Sequence, residues 1–153
     1  MTEAKNNLEN NQTEKTLWNA YRATVFEAET SMGRLALRVD QTHMELDRLL
    51  ESEQKNTWCF ITAWNPGSQP LNADLNTLRN HVLENEIQKM GHPYFFGQGR
   101  GPDERWPAEH SFLVLGLSRE ESIAAGKRHE QNAVVYGEIG SKAELMDTRK
   151  TPE

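Results

Sequence analysis

The chain has 153 residues, a formal net charge of −6 and one cysteine. This length suits a single domain with a hydrophobic core, and the acidic charge disfavours nucleic-acid binding. No segment reaches the roughly 20 apolar residues of a membrane span, so we expect a cytoplasmic protein without membrane contact.

The two ends of the chain are polar. Residues 1–14 predict a disordered extension and residues 147–153 a frayed tail, with one globular domain at 15–146 between them. At the start of that domain, residues 23–28 and 34–39 alternate apolar and polar side chains around a turn. They predict a β-hairpin.

The middle of the chain alternates helix and strand patterns. Residues 41–53 predict a helix, and the apolar run 58–64 predicts a buried strand with Cys59 as a small core residue. Residues 74–90 predict the most regular helix. Its apolar stripe is expected to face the core and consists of Leu75, Leu78, Val82, Leu83, Ile87 and Met90.

A glycine-rich stretch follows this helix. Residues 94–96 predict a short strand, and Gly97-Gln98-Gly99-Arg100-Gly101 is interpreted as a mobile loop or lid. Arg100 in that loop could bind an anion. The segment lacks the Lys-Ser or Lys-Thr pair of a phosphate-binding P-loop.

The last third predicts strands at 111–117 and 132–139 around a helix at 118–129, which begins with a capping box of Ser118 and Glu121. The whole order predicts an α+β single domain, with helices packed on one side of a mainly antiparallel or mixed sheet.

The turn Asn65-Pro66-Gly67-Ser68 has two interpretations that stay open. It can be a plain turn between a strand and a helix. Alternatively, the Asn65 amide and Ser68 bind a polar ligand, whose anionic group lies at the helix start near residue 73.

Three asparagines follow at a spacing of four residues. Asn72 is placed to cap the helix, while Asn76 can face a site. For Asn80 we expect a solvated face.

Polar residues later in the chain are further candidates. Glu109 can act as a general acid or base if it is buried, or can be an ordinary exposed strand end. Gln131 and Asn132 can face a pocket or cap the preceding helix.

The five histidines have no metal-ligand spacing, so we predict no metal. No motif identifies a cofactor, and whether the chain is an enzyme stays open.

Several of these segments together resemble the domain of unknown function 3293 family. They are the run from Ile61 to Ser68, Asn76, Glu109-x-Ser111-Phe112, Gly116-Leu117-Ser118 and Gln131-Asn132-Ala133. The resemblance covers about residues 21–137 and implies a small cytoplasmic bacterial protein with no established activity. The chain departs from the family pattern at His129-Glu130, where a Phe-Gly pair is usual.

The positions shared with the family pattern are Thr62, Trp64, Asn65, Pro66, Asn76, Glu109, Gln131 and Asn132. Polar residues within a family pattern favour a binding site over a plain turn. We therefore predict a site for a small polar or anionic metabolite, such as a nucleotide, in which Trp64 or Trp106 could stack on a ring. The alternative is a protein-interaction module, an immunity or regulatory protein, with a structural polar motif.

Overall fold

The computed structural model describes residues 2–149, with side chains from residue 13 onward. Over this range the chain forms four helices, seven strands and a short 3-10 turn at Pro66–Ser68. The helices are α1 (Thr2–Ala23), α2 (Met44–Ser52), α3 (Ala73–Met90) and α4 (Arg119–Arg128). The strands are β1 (Val25–Thr30), β2 (Gly33–Leu37), β3 (Thr57–Ile61), β4 (Tyr94–Arg100), β5 (Glu109–Leu115), β6 (Ala133–Glu138) and β7 (Glu144–Asp147).

The strands form one sheet in the order β2-β1-β4-β5-β3-β6-β7, and every neighbouring pair is antiparallel. The predicted hairpin of β1 and β2 pairs Ala28 with Leu35. The central strands β3 and β5 pair Phe60 with Leu113. The α+β single domain with a mainly antiparallel sheet is therefore confirmed.

Both faces of the sheet are covered by helices, so the prediction of helices on one side is wrong. On one face Trp58 and Phe60 belong to a cluster with Leu49 of α2. On the other face Cys59 lies in a second cluster with Ile87 of α3 and residues of α4. Successive strand residues point to opposite faces, and both sets in β3 are apolar. Cys59 is fully buried as expected, which raises the pKa of its thiol to about 12.

The sheet contains two stretches that the sequence does not predict as strand, the second part of β4 and the whole of β7. Strand β4 continues through the glycine-rich segment to Arg100, so that segment is not a loop. Strand β7 lies where the polar tail was predicted to begin, and Thr148 directly after it is fully buried. Its amide donates to the Asn132 carbonyl oxygen, so contacts with the chain before β6 hold this segment in place. Residues 150–153 of the predicted tail lie outside the described residues.

Helix α1 begins at Thr2 and therefore includes most of the segment 1–14, which we predict to be disordered. The later part of the helix contacts the domain. Arg149 pairs with Glu14 and lies over the ring of Trp18, and Tyr21 contacts two polar side chains described below. The domain boundaries at 14 and 146 stay predictions.

Candidate functional site

Helix α3 directs two asparagines into the protein. Asn76 is 1% exposed and Asn80 is 7% exposed, so the expectation that Asn80 lies on a solvated face is wrong. Asn80 accepts a hydrogen bond from the Ala63 amide at 2.8 Å and donates to the His110 carbonyl at 2.9 Å. The Asn80 side chain thus connects the residues just after β3 to the beginning of β5. The direct pairing of the two strands ends before this point, at Ile61 and Phe112. Asn72 caps α3 as predicted.

Asn76 holds Asn65 in place. The side-chain oxygen of Asn76 accepts a hydrogen bond from the backbone N–H of Asn65 at 2.8 Å. The side-chain nitrogen of Asn76 donates to the side-chain oxygen of Asn65, also at 2.8 Å. That oxygen also accepts from the Leu71 amide at 3.0 Å. The remaining Asn65 donor, Nδ2, bonds Oε1 of Glu109 at 3.1 Å. Both the oxygen and the nitrogen of the Asn65 side-chain amide are thus bonded within the protein, and this geometry orients Glu109.

Glu109 lies at the start of β5 and is partly buried. Burial raises the pKa of its carboxyl group, and the hydrogen bonds from Asn65 and Trp106 oppose this shift only in part. Both donors are neutral, and Trp106 Nε1 reaches the same Oε1 at 3.5 Å. Within the described part of the chain no donor is bonded to Oε2 of Glu109 and no cation pairs with the side chain.

A cavity of about 400 Å³ opens beside Glu109, between α1 and the sheet. Four of the predicted catalytic and ligand-binding residues line it, and so does Trp106, which was expected to stack on a ring; the four are Ser68, Glu109, Gln131 and Asn132. Asn65 and Asn76 lie behind Glu109 and are not among the lining residues. The structure thus brings together most of the predicted site, although the asparagines of the turn and of α3 contribute from behind the cavity wall.

The inner part of the cavity is apolar. The rings of Phe26 and Phe60 lie edge to face with centroids 5.1 Å apart, and both line the cavity. Gly99 of β4 adds no side chain beside this floor, where a Cβ would lie in ordinary van der Waals contact with the Phe26 ring at 3.6 Å. The cavity combines an aromatic floor with a polar end, as small-molecule sites often do.

Helix α1 is joined to the polar end through Tyr21. Its hydroxyl contacts Ser68 Oγ, and Asn132 Nδ2 donates to the Tyr21 oxygen at 3.2 Å and to Ser68 Oγ at 3.4 Å. Sequence reasoning missed Tyr21, because it lies 47 residues from Ser68 and 111 from Asn132 with no motif linking them. The floor residues Phe26 and Phe60 were missed because their pattern is that of ordinary core strands.

The turn at residues 65–68 and the residue that contacts it after α4 have backbone conformations that are rare outside glycine. Asn65, Ser68 and Glu130 all have positive φ, at 48°, 60° and 56°, which is uncommon outside glycine. The Gly67 amide donates to the Glu130 carbonyl at 2.8 Å and ties the turn to the end of α4. Gln131 Nε2 adds bonds to the Trp64 and His129 carbonyls. Gln131 therefore joins the turn to the chain before β6 as well as lining the cavity.

Arg100 lies away from the other predicted site residues. It ends β4, where alternation places Gly99 toward the cavity and Arg100 on the opposite face. There its guanidinium pairs with Glu27. The interpretation of residues 97–101 as a lid is wrong, since most of this segment is paired with β1 and β5.

Within residues 2–149, no group of three or more histidine, cysteine or acidic side chains is arranged to hold a metal ion. No helix in that range combines the length and apolar character needed to cross a membrane.

The fold and cavity define a single-domain α+β protein with a pocket at one end of an antiparallel sheet. Comparison with family models matches residues 61–134 to the family described as Protein of unknown function (DUF3293). This segment of the chain is similar to that family, which confirms the resemblance predicted from its motifs. No curated protein and no solved structure matches the chain significantly.

Proposed function

We propose that the protein binds a small molecule in the cavity between α1 and the sheet. The observation that carries this proposal is the cavity of about 400 Å³ with an aromatic floor and the partly buried Glu109 at its polar end. An unpaired carboxylate held in a low-dielectric site is costly for a fold without a role for it. The restrained backbone at Asn65 and Ser68 supports the same proposal, because such conformations cluster at ligand sites.

Glu109 is the group through which the cavity would process a ligand. Burial raises the pKa of this carboxyl group, so it holds a proton more readily than an exposed carboxylate does, which suits a general acid or base. Asn65 acts as a positioning residue, since its Nδ2 bonds the carboxylate while the rest of its amide is held by Asn76 and Leu71. Binding without turnover needs the same geometry, so an activity assay is what separates an enzyme from a sensor.

A thermal-shift screen against metabolite classes tests the proposal, with Asn65→Ala and the matched control Asn72→Ala. A ligand at 100 times its Kd stabilises by about 2.7 kcal/mol, which is a shift of roughly 5–10 °C for a domain of this size. Asn72→Ala changes only a helix cap, so this variant should respond like the wild type. Asn65→Ala should lose most of the response. Equal responses of the two variants, or no response of the wild type to any class, would refute binding at this site.

One observation favours the alternative of a protein-interaction module. Leu75, Leu78 and Val82 are 49%, 59% and 55% exposed along one side of α3. Spacings of three and four residues place them on one stripe, which is typical of helices that pack against a partner. A protein that co-purifies with the wild type and with Glu109→Gln, but is lost with Leu78→Asp, would support this function.

A further inference from the structure

The cavity offers a ligand negative charge and no positive charge. Among its described lining residues, Glu109 and Asp103 carry carboxylates, and none is lysine, arginine or histidine. Asp103 is already paired with Arg105 through two bonds of 3.1 Å. Glu109 is therefore the one lining charge that has only neutral partners, Asn65 and Trp106.

The polar end also presents hydrogen-bond acceptors. Gln131 and Asn132 use their side-chain nitrogens in bonds within the protein. In the described structure no hydrogen bond involves Oε1 of Gln131, Oδ1 of Asn132 or Oε2 of Glu109. Three oxygens from these lining residues thus stay available to a group that donates hydrogen bonds.

The anion site expected from the sequence is already occupied by the protein itself. The Asp74 and Leu75 amides at the start of α3 bond the Asn72 side-chain oxygen, at 2.8 and 3.4 Å. Arg100 pairs with Glu27 on the other face of the sheet. A phosphate or carboxylate entering the cavity would thus approach the Glu109 carboxylate without a compensating cation.

We propose that the ligand of this cavity carries a positively charged nitrogen, a protonated amine or amidine, which pairs with Glu109 while its apolar body lies on Phe26 and Phe60. This inference rests on the proposed function and names its ligand class. The cation supplies the N–H donors that Oε2 of Glu109 and the two amide oxygens lack. Gly99 adds no side chain that would occupy the cavity beside the Phe26 ring.

Two matched probe pairs test the charge preference, and each pair differs only in its charged end. The pairs are 2-phenylethylamine with 3-phenylpropionate, and tryptamine with indole-3-propionate. Titration of the isotope-labelled protein by NMR at neutral pH reports which amide resonances move. We expect the amines to shift Gly99 and Ala133, which line the cavity, and to bind at least about 10-fold more tightly than the carboxylates.

Two variants test which residues produce the preference for a positively charged ligand. Glu109→Gln keeps the shape of the side chain and should bring the affinities of the two members of each pair together. Gly99→Leu fills the space over Phe26 and should weaken all four probes. Carboxylates that bind as tightly as the amines at these resonances would overturn the charge inference and leave the proposed function standing. If no probe moves the cavity resonances of the wild type, the inference of a cationic aromatic ligand fails, whereas the proposed function is refuted only by the thermal-shift screen.

Discussion

Helix α3 presents two faces, one that buries Leu83 and Ile87 as its apolar stripe predicts and one that exposes three other residues of that stripe. The buried face also includes Asn76 and Asn80, and the expectation that the three exposed residues face the core is wrong. These three, each about half exposed, are Leu75, Leu78 and Val82. The asparagines are buried because their amides bond backbone groups at the end of the sheet. The comparison teaches that unpaired backbone groups can determine which face of a helix turns inward as strongly as apolar area does.

The buried face should be the one that stability depends on. In Asn76→Leu the Asn65 amide and the Leu71 carbonyl lose their partners, and Asn65 loses its own restraint. Each buried group left without a partner costs about 1–3 kcal/mol, so we expect a loss of at least about 3 kcal/mol in the free energy of unfolding. Urea denaturation measures it. A loss below about 1 kcal/mol would mean that the asparagine network is not what places this face inward.

The contact of α3 with α4 gives a second test of the buried side. Burial alone would raise the pKa of Glu86, but hydrogen bonds from His129 and Arg128 hold it below its usual range. We expect Glu86→Gln to destabilise by roughly 1–2 kcal/mol at pH 7, with the exposed Glu51→Gln as a neutral control.

The pH dependence of this effect has a definite sign. A lowered folded pKa stabilises the protein above the unfolded pKa, and that contribution is lost as the pH falls through the folded value. The difference between wild type and Glu86→Gln should therefore shrink on acidification. A difference that stays constant down to low pH would show that charge on Glu86 is not involved.

The contribution of Glu109 to stability should depend on pH in the opposite sense to that of Glu86. The pKa of Glu109 is raised by burial, so the folded state holds the proton more tightly than the unfolded chain does. As the pH rises from the ordinary value near 4.5 through the raised value, the wild type should lose stability relative to Glu109→Gln, and the difference should then level off. Chemical denaturation of both proteins across this range measures the effect. A flat difference would contradict the burial of the carboxylate.

The exposed face should give the smallest effect on stability. Leu78→Asn reverses the polarity change of Asn76→Leu two residues further along the same helix. Because Leu78 is 59% exposed, we expect a change below about 0.5 kcal/mol, measured by the same urea denaturation. A loss comparable with that of Asn76→Leu would show that the stripe is packed in solution, and sedimentation velocity would then tell whether self-association covers it.

Local patterns in the sequence were sufficient for most elements. Alternation predicts the hairpin β1–β2, the capping box of Ser118 and Glu121 forms as expected, and Gly91 ends α3 in the left-handed conformation. Such features depend on neighbouring residues, so a single sequence contains the information they need. The pattern around Asn65 and Glu109 likewise indicates which residues meet, since the two side chains bond each other.

The tertiary structure decided what depends on distant partners. The segment with Gly97 and Gly99 becomes part of β4 because β1 and β5 bond it on both sides, although glycine disfavours strands. Tyr21 reaches the cavity from the other end of the chain.

Helix α3 likewise forms because of its local sequence but is oriented by distant partners. Its periodicity determines that a helix forms, but both its leucines and its asparagines recur at helical spacing. Burial of Leu83 and Ile87 in the core, together with the backbone groups that Asn76 and Asn80 bond, turns the asparagines inward. Those groups are created by the way the strands diverge, which is a property of the assembled sheet and of no single segment.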